Sequence, residues 1–175
     1  TVVGRPVDQE YYDGVRARAR DHGLADRVTF AGELSDDALA ATLRESHVLA
    51  VPSRHEGFGI VYLEGMSFGL PAIASAAGGA AEVVTDSETG VLVDPGDSTA
   101  IAEALGAFAR DRDRLIRMGT AARDRYESHP DWSDTASRVR SLLTRVVRAG
   151  EEGHGDADAD TDTGSRGDAG REAQS

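Results

Sequence analysis

The chain has 175 residues, 19 basic and 31 acidic, a formal net charge of −12 and no cysteine. Its length suits one domain with a core large enough for independent stability, and the lack of cysteine excludes disulfides and thiolate metal sites. An acidic surface whose basic residues are all arginine argues against nucleic-acid binding. Thr1–Gly4 reads as the end of a strand, and with no Met at its start and no signal sequence the chain reads as a domain cut from a longer protein. Gln9–His22 has helical spacing, with Tyr11, Tyr12, Val15 and Ala19 along one side and Gly23 placed to end it. Arg27–Ala31 reads as a strand ending at Gly32, and Ser35 as the cap of a helix with Asp36 and Asp37 at its positive end and Leu39 and Leu43 on its buried side.

Val48–Val51 is the next strand, Phe58–Phe68 the next helix and Leu70–Ser75 another strand. Gly78-Gly79 opens a short helix over Ala80–Val84; Gly90–Val93 is a strand ending at the turn Asp94-Pro95-Gly96-Asp97. Asp97 or Ser98 caps a helix carrying Ile101, Leu105 and Phe108, and further helices surround Leu115–Tyr126 and Trp132–Val147. Strands alternating with helices across short connections imply a parallel sheet with helices on both faces. The 25-residue apolar run from Gly57 to Ala81 holds six glycines, Pro71 and Glu64, so it reads as a turn-broken core and not a membrane span. From Gly150 onward there is no large apolar residue, and residues 149–175 are expected to form a disordered acidic tail.

The informative stretch is Pro52-Ser53-Arg54-His55-Glu56-Gly57-Phe58-Gly59, between a buried strand and a helix. A glycine loop entering a helix is a ready anion site, because the first helical amides have no internal partners. Glycine at 57 and 59 permits positive φ and close approach to a ligand. Glu64 is the only Asp, Glu, Lys, Arg or His between Glu56 and Glu82. If buried, its carboxylate needs hydrogen bonds from a ligand hydroxyl or from helix amides; otherwise it is a solvent-facing residue of an amphipathic helix. His55 reads as a loop residue in preference to a general acid.

In order along the chain stand Gly23-Leu24-x-Asp26-Arg27-Val28-Thr29-Phe30-x-Gly32, Glu56-x7-Glu64, Gly69-Leu70-Pro71, Gly78-Gly79-x-x-Glu82, Thr89-Gly90-Val91-Leu92-Val93 and Pro95-Gly96-Asp97. Over residues 1–148 this series resembles the C-terminal domain of family 4 retaining glycosyltransferases, the "glycosyltransferases group 1" type. The resemblance implies a Rossmann-like α/β domain, the C-terminal, nucleotide-sugar-binding half of a two-domain GT-B enzyme, with its first strand and helix missing. It implies a hexosyl transfer from a nucleotide-sugar donor with retention of configuration. Glu56 would be the catalytic residue, holding donor-sugar hydroxyls. Gly57, Phe58, Gly59 and Ile60 would meet the sugar or diphosphate, Glu64 would hold the ribose hydroxyls, and Phe30 and Gly32 would border the base. Eight residues of helix span about 12 Å, a reach suited to the two ends of one sugar nucleotide, and carboxylate–hydroxyl contacts are charge-assisted. The family's Gly-Arg…Lys-Gly motif, which neutralises the leaving diphosphate, has no counterpart in a chain without lysine. The acceptor domain is likewise expected to lie outside the chain.

No metal or other cofactor is expected. Asp156-Ala-Asp158-Ala-Asp160 sits in low-complexity sequence with no strand beside it, and an EF-hand register from Asp158 puts Thr163 where glycine is needed. No Gly-x-Gly-x-x-Gly or Gly-Lys phosphate loop is present. The competing reading is a non-catalytic nucleotide-sugar-binding module or inactive fragment, with a sugar-nucleotide epimerase third. The expected place is the cytoplasm or the cytoplasmic face of a membrane, any membrane contact belonging to the missing half.

Overall fold

The computed structural model describes residues 1–54, 56–130 and 132–154, the last five of these as backbone only. Thr1–Ser128 form one compact unit, and a second begins at His129. The first contains β1 (Val2–Val3), α1 (Gln9–Asp21), β2 (Phe30–Gly32), α2 (Asp36–Glu45), β3 (Leu49–Val51), α3 (Ile60–Ser67), β4 (Ala72–Ser75), α4 (Ala80–Val83), β5 (Gly90–Val93), α5 (Ser98–Arg110) and α6 (Arg112–Glu127). The second contains α7 (Trp132–His154).

Every strand pairing is parallel, as alternating strands and helices require. The strands do not form one described sheet, however: β1 pairs with β2, while β3, β4 and β5 form a separate three-stranded sheet in that order. The central strand β4 is buried at all four positions. Its Ala72 and Ala74 enter a core with Tyr62 and Met66 of α3, Val83 of α4 and Ala122 of α6. Ile73, pointing the other way, joins Val93, Ala104, Phe108, Leu115 and Met118 in a second core. Helices therefore cover both faces of this sheet, which is why β4 reads as an unbroken run of small and apolar residues.

Several helix ends are capped by side chains, as expected at Ser35 and Asp97 and also at Asp8. Asp8 accepts from the Tyr11 amide at 3.0 Å and Ser35 from Ala38 at 3.4 Å. Asp97, one of two expected caps for α5, accepts from Thr99 and Ala100 at 3.0 and 2.9 Å. Two arginines of α6 tie the first unit together by closing other helices' C-termini. Arg123 donates to the Ser67 carbonyl at the end of α3, and Arg125 donates to the Glu82 and Val83 carbonyls of α4 at 3.0 and 3.4 Å.

Four expectations change. On α5 the buried side carries Ala104 and Phe108, while Leu105 is 45% exposed, because the sheet meets the helix about one position earlier in its turn. On α1, Tyr11 is 73% exposed and no residue is fully buried; Tyr12, Ala17 and Ala19 are half-buried, the Tyr12 ring edge-on to Phe30 at 5.5 Å. Helix α3 starts at Ile60, two residues later than Phe58, because Gly59 adopts a left-handed conformation at its N-cap. Helix α7 continues through residues 149–154, where disorder was expected to begin; extending an existing helix fixes one residue per added bond, without a new nucleus. The rest of the expected tail, and His55, lie outside the described residues.

Candidate functional site

The loop from Pro52 to Gly59 leaves the carboxyl end of β3 and turns into α3. Ligands of open α/β sheets bind at such strand ends. The turn depends on Gly59, whose φ is +80°. A β-carbon there would meet Tyr62 and Val83 side-chain atoms at 3.1 and 3.3 Å, so glycine serves both the backbone and the packing. Gly57, the other expected left-handed position, has no positive φ and open space around it.

Glu56 is half-buried, and its carboxylate already has work inside the protein. Oε1 accepts from the Gly59 amide at 2.9 Å, and Oε2 accepts from the Ser53 hydroxyl at 3.5 Å. The carboxylate thus folds back over the entrance of α3, where negative charge is favoured. One of the amides expected to face a ligand is consequently occupied by Glu56 itself. Phe58 and Ile60 flank the turn and are each 61% exposed, large apolar side chains held open beside polar backbone. Arg54 is exposed in the same loop, its guanidinium 3.7 Å from where a β-carbon on Gly96 would stand.

A second loop supports the first, and sequence reasoning noted its residues without their purpose. Gly79 donates its amide to the Glu56 carbonyl at 3.0 Å. A β-carbon on Gly78 would lie 2.4 Å from that same carbonyl oxygen, and one on Gly79 would lie 2.6 Å from the Gly57 carbonyl oxygen. The loop after β4 is therefore seated directly on the Glu56–Phe58 backbone, at a distance that only glycine allows.

Tyr62, fully buried in α3, fixes the loop from below. Its hydroxyl donates to the Val51 carbonyl at 2.7 Å, joining α3 to the end of β3. Burial pushes the Tyr62 phenol above its ordinary value; the Ser53 hydroxyl pulls the other way and the Glu56 carboxylate adds to the rise. A raised phenol pKa means the folded protein prefers the neutral form. Its contribution to stability is complete below about pH 10 and is lost as pH rises through the folded pKa. Tyr62→Phe is expected to lower stability by about 1 kcal/mol at neutral pH, because the Val51 carbonyl keeps the Ser53 amide at 2.8 Å. Urea titrations at pH 8 and above pH 10 should show that gap shrinking in alkali; a constant gap would remove Tyr62 as its source.

Glu64 takes the solvent-facing alternative: it is exposed on α3 and lines the cavity bordered by β1, α2 and β3. No burial penalty therefore bears on it. Phe30 and Gly32 sit in the separate β1–β2 sheet, and among the described residues no hydrogen bond joins them to the Glu56–Ile60 loop. The structure thus brings together Glu56, Gly57, Phe58, Gly59 and Ile60. Among the described residues no group of three His, Asp or Glu side chains is placed to hold a metal ion.

The family model for glycosyl transferases group 1 matches residues 1–125 of the 175. The chain belongs to this family. A GDP-mannose-dependent alpha-(1-6)-phosphatidylinositol monomannoside mannosyltransferase of Mycobacterium tuberculosis is 36% identical over 140 residues, covering 76% of this chain and 36% of that protein. Sucrose-phosphate synthase of Thermosynechococcus elongatus superposes with a TM-score of 0.71 at 32% identity, over 84% of this chain and 38% of that one. Anabaena Alr3699/HepE, solved in complex with UDP and glucose, superposes with a TM-score of 0.73 at 26% identity, over 82% of this chain and 39% of that one. The chain thus spans little more than a third of each of these proteins, and its fold is that of a GT-B C-terminal half.

Proposed function

We propose that this chain is the donor-binding half of a retaining hexosyltransferase that takes its sugar from a nucleoside diphosphate. The observation that carries the reading is the Glu56–Gly59 turn at the carboxyl end of β3, clamped by Gly78-Gly79 and leading into α3. In this reading the turn would present backbone amides and one carboxylate to a ligand that carries both phosphates and hydroxyls. Glu56 would exchange its bond from Gly59 for donor-sugar hydroxyls, releasing that amide towards the diphosphate. Gly57, Phe58 and Ile60 would border the same groups, Glu64 would take the ribose hydroxyls, and Phe30 and Gly32 would lie near the base. The acceptor-binding domain and the cations that neutralise the departing diphosphate would lie in the rest of a longer polypeptide, without a metal. Support for a nucleotide-sugar donor comes from the mycobacterial relative, named for GDP-mannose, and from the HepE complex with UDP. No described helix is long and apolar enough to cross a membrane.

The chain taken alone should bind a nucleoside diphosphate weakly, on the order of millimolar. Its net charge of −12, with Glu56 and Glu64 at the site, repels phosphates. Salt screens that repulsion over a Debye length of about 8 Å, so affinity should rise with ionic strength. Isothermal titration with GDP, UDP and ADP at low and high salt, beside a donor-hydrolysis assay, tests this. Binding at high salt without turnover is the expected result. No binding of any nucleotide at any salt would overturn the donor reading, and efficient turnover would overturn the half-enzyme reading.

A further inference from the structure

Helix α4 has only four residues, Ala80–Val83, too few to hold a helical shape unaided. Its two ends meet different parts of the molecule. At the entrance, the Gly79 amide donates to the Glu56 carbonyl at 3.0 Å, and the loop there lies against the Glu56 and Gly57 carbonyls. At the exit, the last carbonyls of a helix have no internal partner. The guanidinium of Arg125 takes two of them: Nη2 donates to Glu82 at 3.0 Å and Nε to Val83 at 3.4 Å. Neither carbonyl has another hydrogen bond among the described residues. Arg125 belongs to α6, is half-buried, and lies 43 residues after Glu82 in the sequence.

The body of α4 carries the effect of that clasp to the candidate site. Ala80 and Val83 are buried in the same core as Tyr62 of α3 and Ala122 of α6. A β-carbon on Gly59 would stand 3.1 Å from Tyr62 Cδ2, 3.3 Å from Val83 Cγ2 and 3.5 Å from the Gly79 carbonyl oxygen. Two of those three neighbours belong to α4 and its entrance. The Gly59 amide in turn donates to the Glu56 carboxylate at 2.9 Å. A shift of α4 therefore reaches Glu56 by two routes. One runs through Gly79 to the Glu56 backbone, and the other through Val83 and Gly59 to its carboxylate.

We infer that Arg125 is a positioning residue for the Glu56–Gly59 turn, acting through α4 because its hydrogen bonds go to carbonyls of that helix. Its chemistry suits the task. A guanidinium is planar and offers donors in a fixed fork, so it sets two adjacent carbonyls in one geometry. A lysine ammonium is a point charge on a flexible stem; it keeps the charge and loses the fork. Without the fork, α4 retains its buried side chains but has nothing to fix its exit, and the turn it supports loosens. The effect on the turn stands on the geometry alone, whereas the effect on a ligand rests on the donor reading.

The test follows the 175-residue chain and two variants, Arg125→Lys and Arg125→Ala, by NMR. In both variants the Gly79 and Gly59 amides should exchange at least about tenfold faster than in the parent. Ile73 and Ala74 of the central strand β4 should stay within about twofold of it, since their core remains intact. The Gly59 amide proton, bonded to a carboxylate in the parent, should move upfield in both. That signal belongs to the Glu56 contact, and a loss of overall stability alone does not move it. Titration with UDP and GDP at high salt should show affinity lower by about threefold or more. Because Arg125→Lys keeps the charge, its loss cannot be assigned to the field of the protein. Parent-like exchange at Gly79 and Gly59, acceleration spread equally over Ile73 and Ala74, or unchanged affinity in Arg125→Lys beside a parent that binds would each overturn the proposal. A parent that binds neither nucleotide would overturn the donor reading instead, while the exchange rates and the Gly59 signal still decide the role of Arg125.

Discussion

Gly78→Ala is expected to destabilise the protein by about 3 kcal/mol, with a fall in Tm of about 6–12 °C for a chain of this size. Two costs combine. Gly78 has φ +76°, and alanine in the left-handed region costs about 1–2 kcal/mol. Its β-carbon would also stand 2.4 Å from the Glu56 carbonyl oxygen, well inside contact distance, and overpacking of this kind costs about 1–3 kcal/mol. The strain cannot be relieved by a side-chain rotation, because the obstructing atom is backbone. Nor can that carbonyl move freely, since it accepts the Gly79 amide. The control is Gly57→Ala, three residues before α3: it has open space and no positive φ, and should change stability by less than about 0.5 kcal/mol. Thermal and urea melts of the two variants decide the matter. If Gly78→Ala proves as mild as Gly57→Ala, the two loops do not clamp one another.

That clamp marks the boundary of what one sequence makes legible. Helix caps at Ser35 and Asp97 are local chemistry, readable from a few neighbouring residues, and the structure has them where they are expected. The parallel pairing and the two-faced burial of β4 follow from its apolar run and from the alternation of strands with helices. Gly78 and Gly79 are visible as a motif, yet their reason lies in the Glu56 and Gly57 carbonyls, some twenty residues away in sequence. Contacts of that kind have no period and no local signature. Glu64 was left between two readings for a related reason. Its apolar neighbours in sequence surround Tyr62 and Met66, which point into the core, whereas its own place on the helix opens onto the cleft beside β3. Leu105 and Tyr11 failed similarly, because amphipathic spacing identifies a face without telling which element covers it.

Glu56→Gln and Glu64→Gln should fail in different ways when made in the longer enzyme. Both substitutions are mild for the fold. Glutamine at 56 keeps a carbonyl oxygen for the Gly59 amide, now held by Oε1 at 2.9 Å. At 64 the side chain is exposed, and the hydrogen bond from Ser67 goes to the backbone carbonyl, which the change does not touch. Stability should therefore stay within about 0.5 kcal/mol of the parent for each, so any change in activity reports on ligand contacts. Losing one charge-assisted hydrogen bond costs roughly 1.5–3 kcal/mol, or about tenfold to a hundredfold. For Glu64→Gln that loss should appear in the affinity for the free nucleoside diphosphate, because its assigned partner is the ribose. For Glu56→Gln the affinity for the diphosphate should be nearly unchanged, while turnover with the sugar donor falls by the same factor. A structural accident would move both quantities together. Titration calorimetry and initial rates on the two variants separate these outcomes, and equal losses of nucleotide affinity would contradict the division of the donor between a sugar end at Glu56 and a ribose end at Glu64.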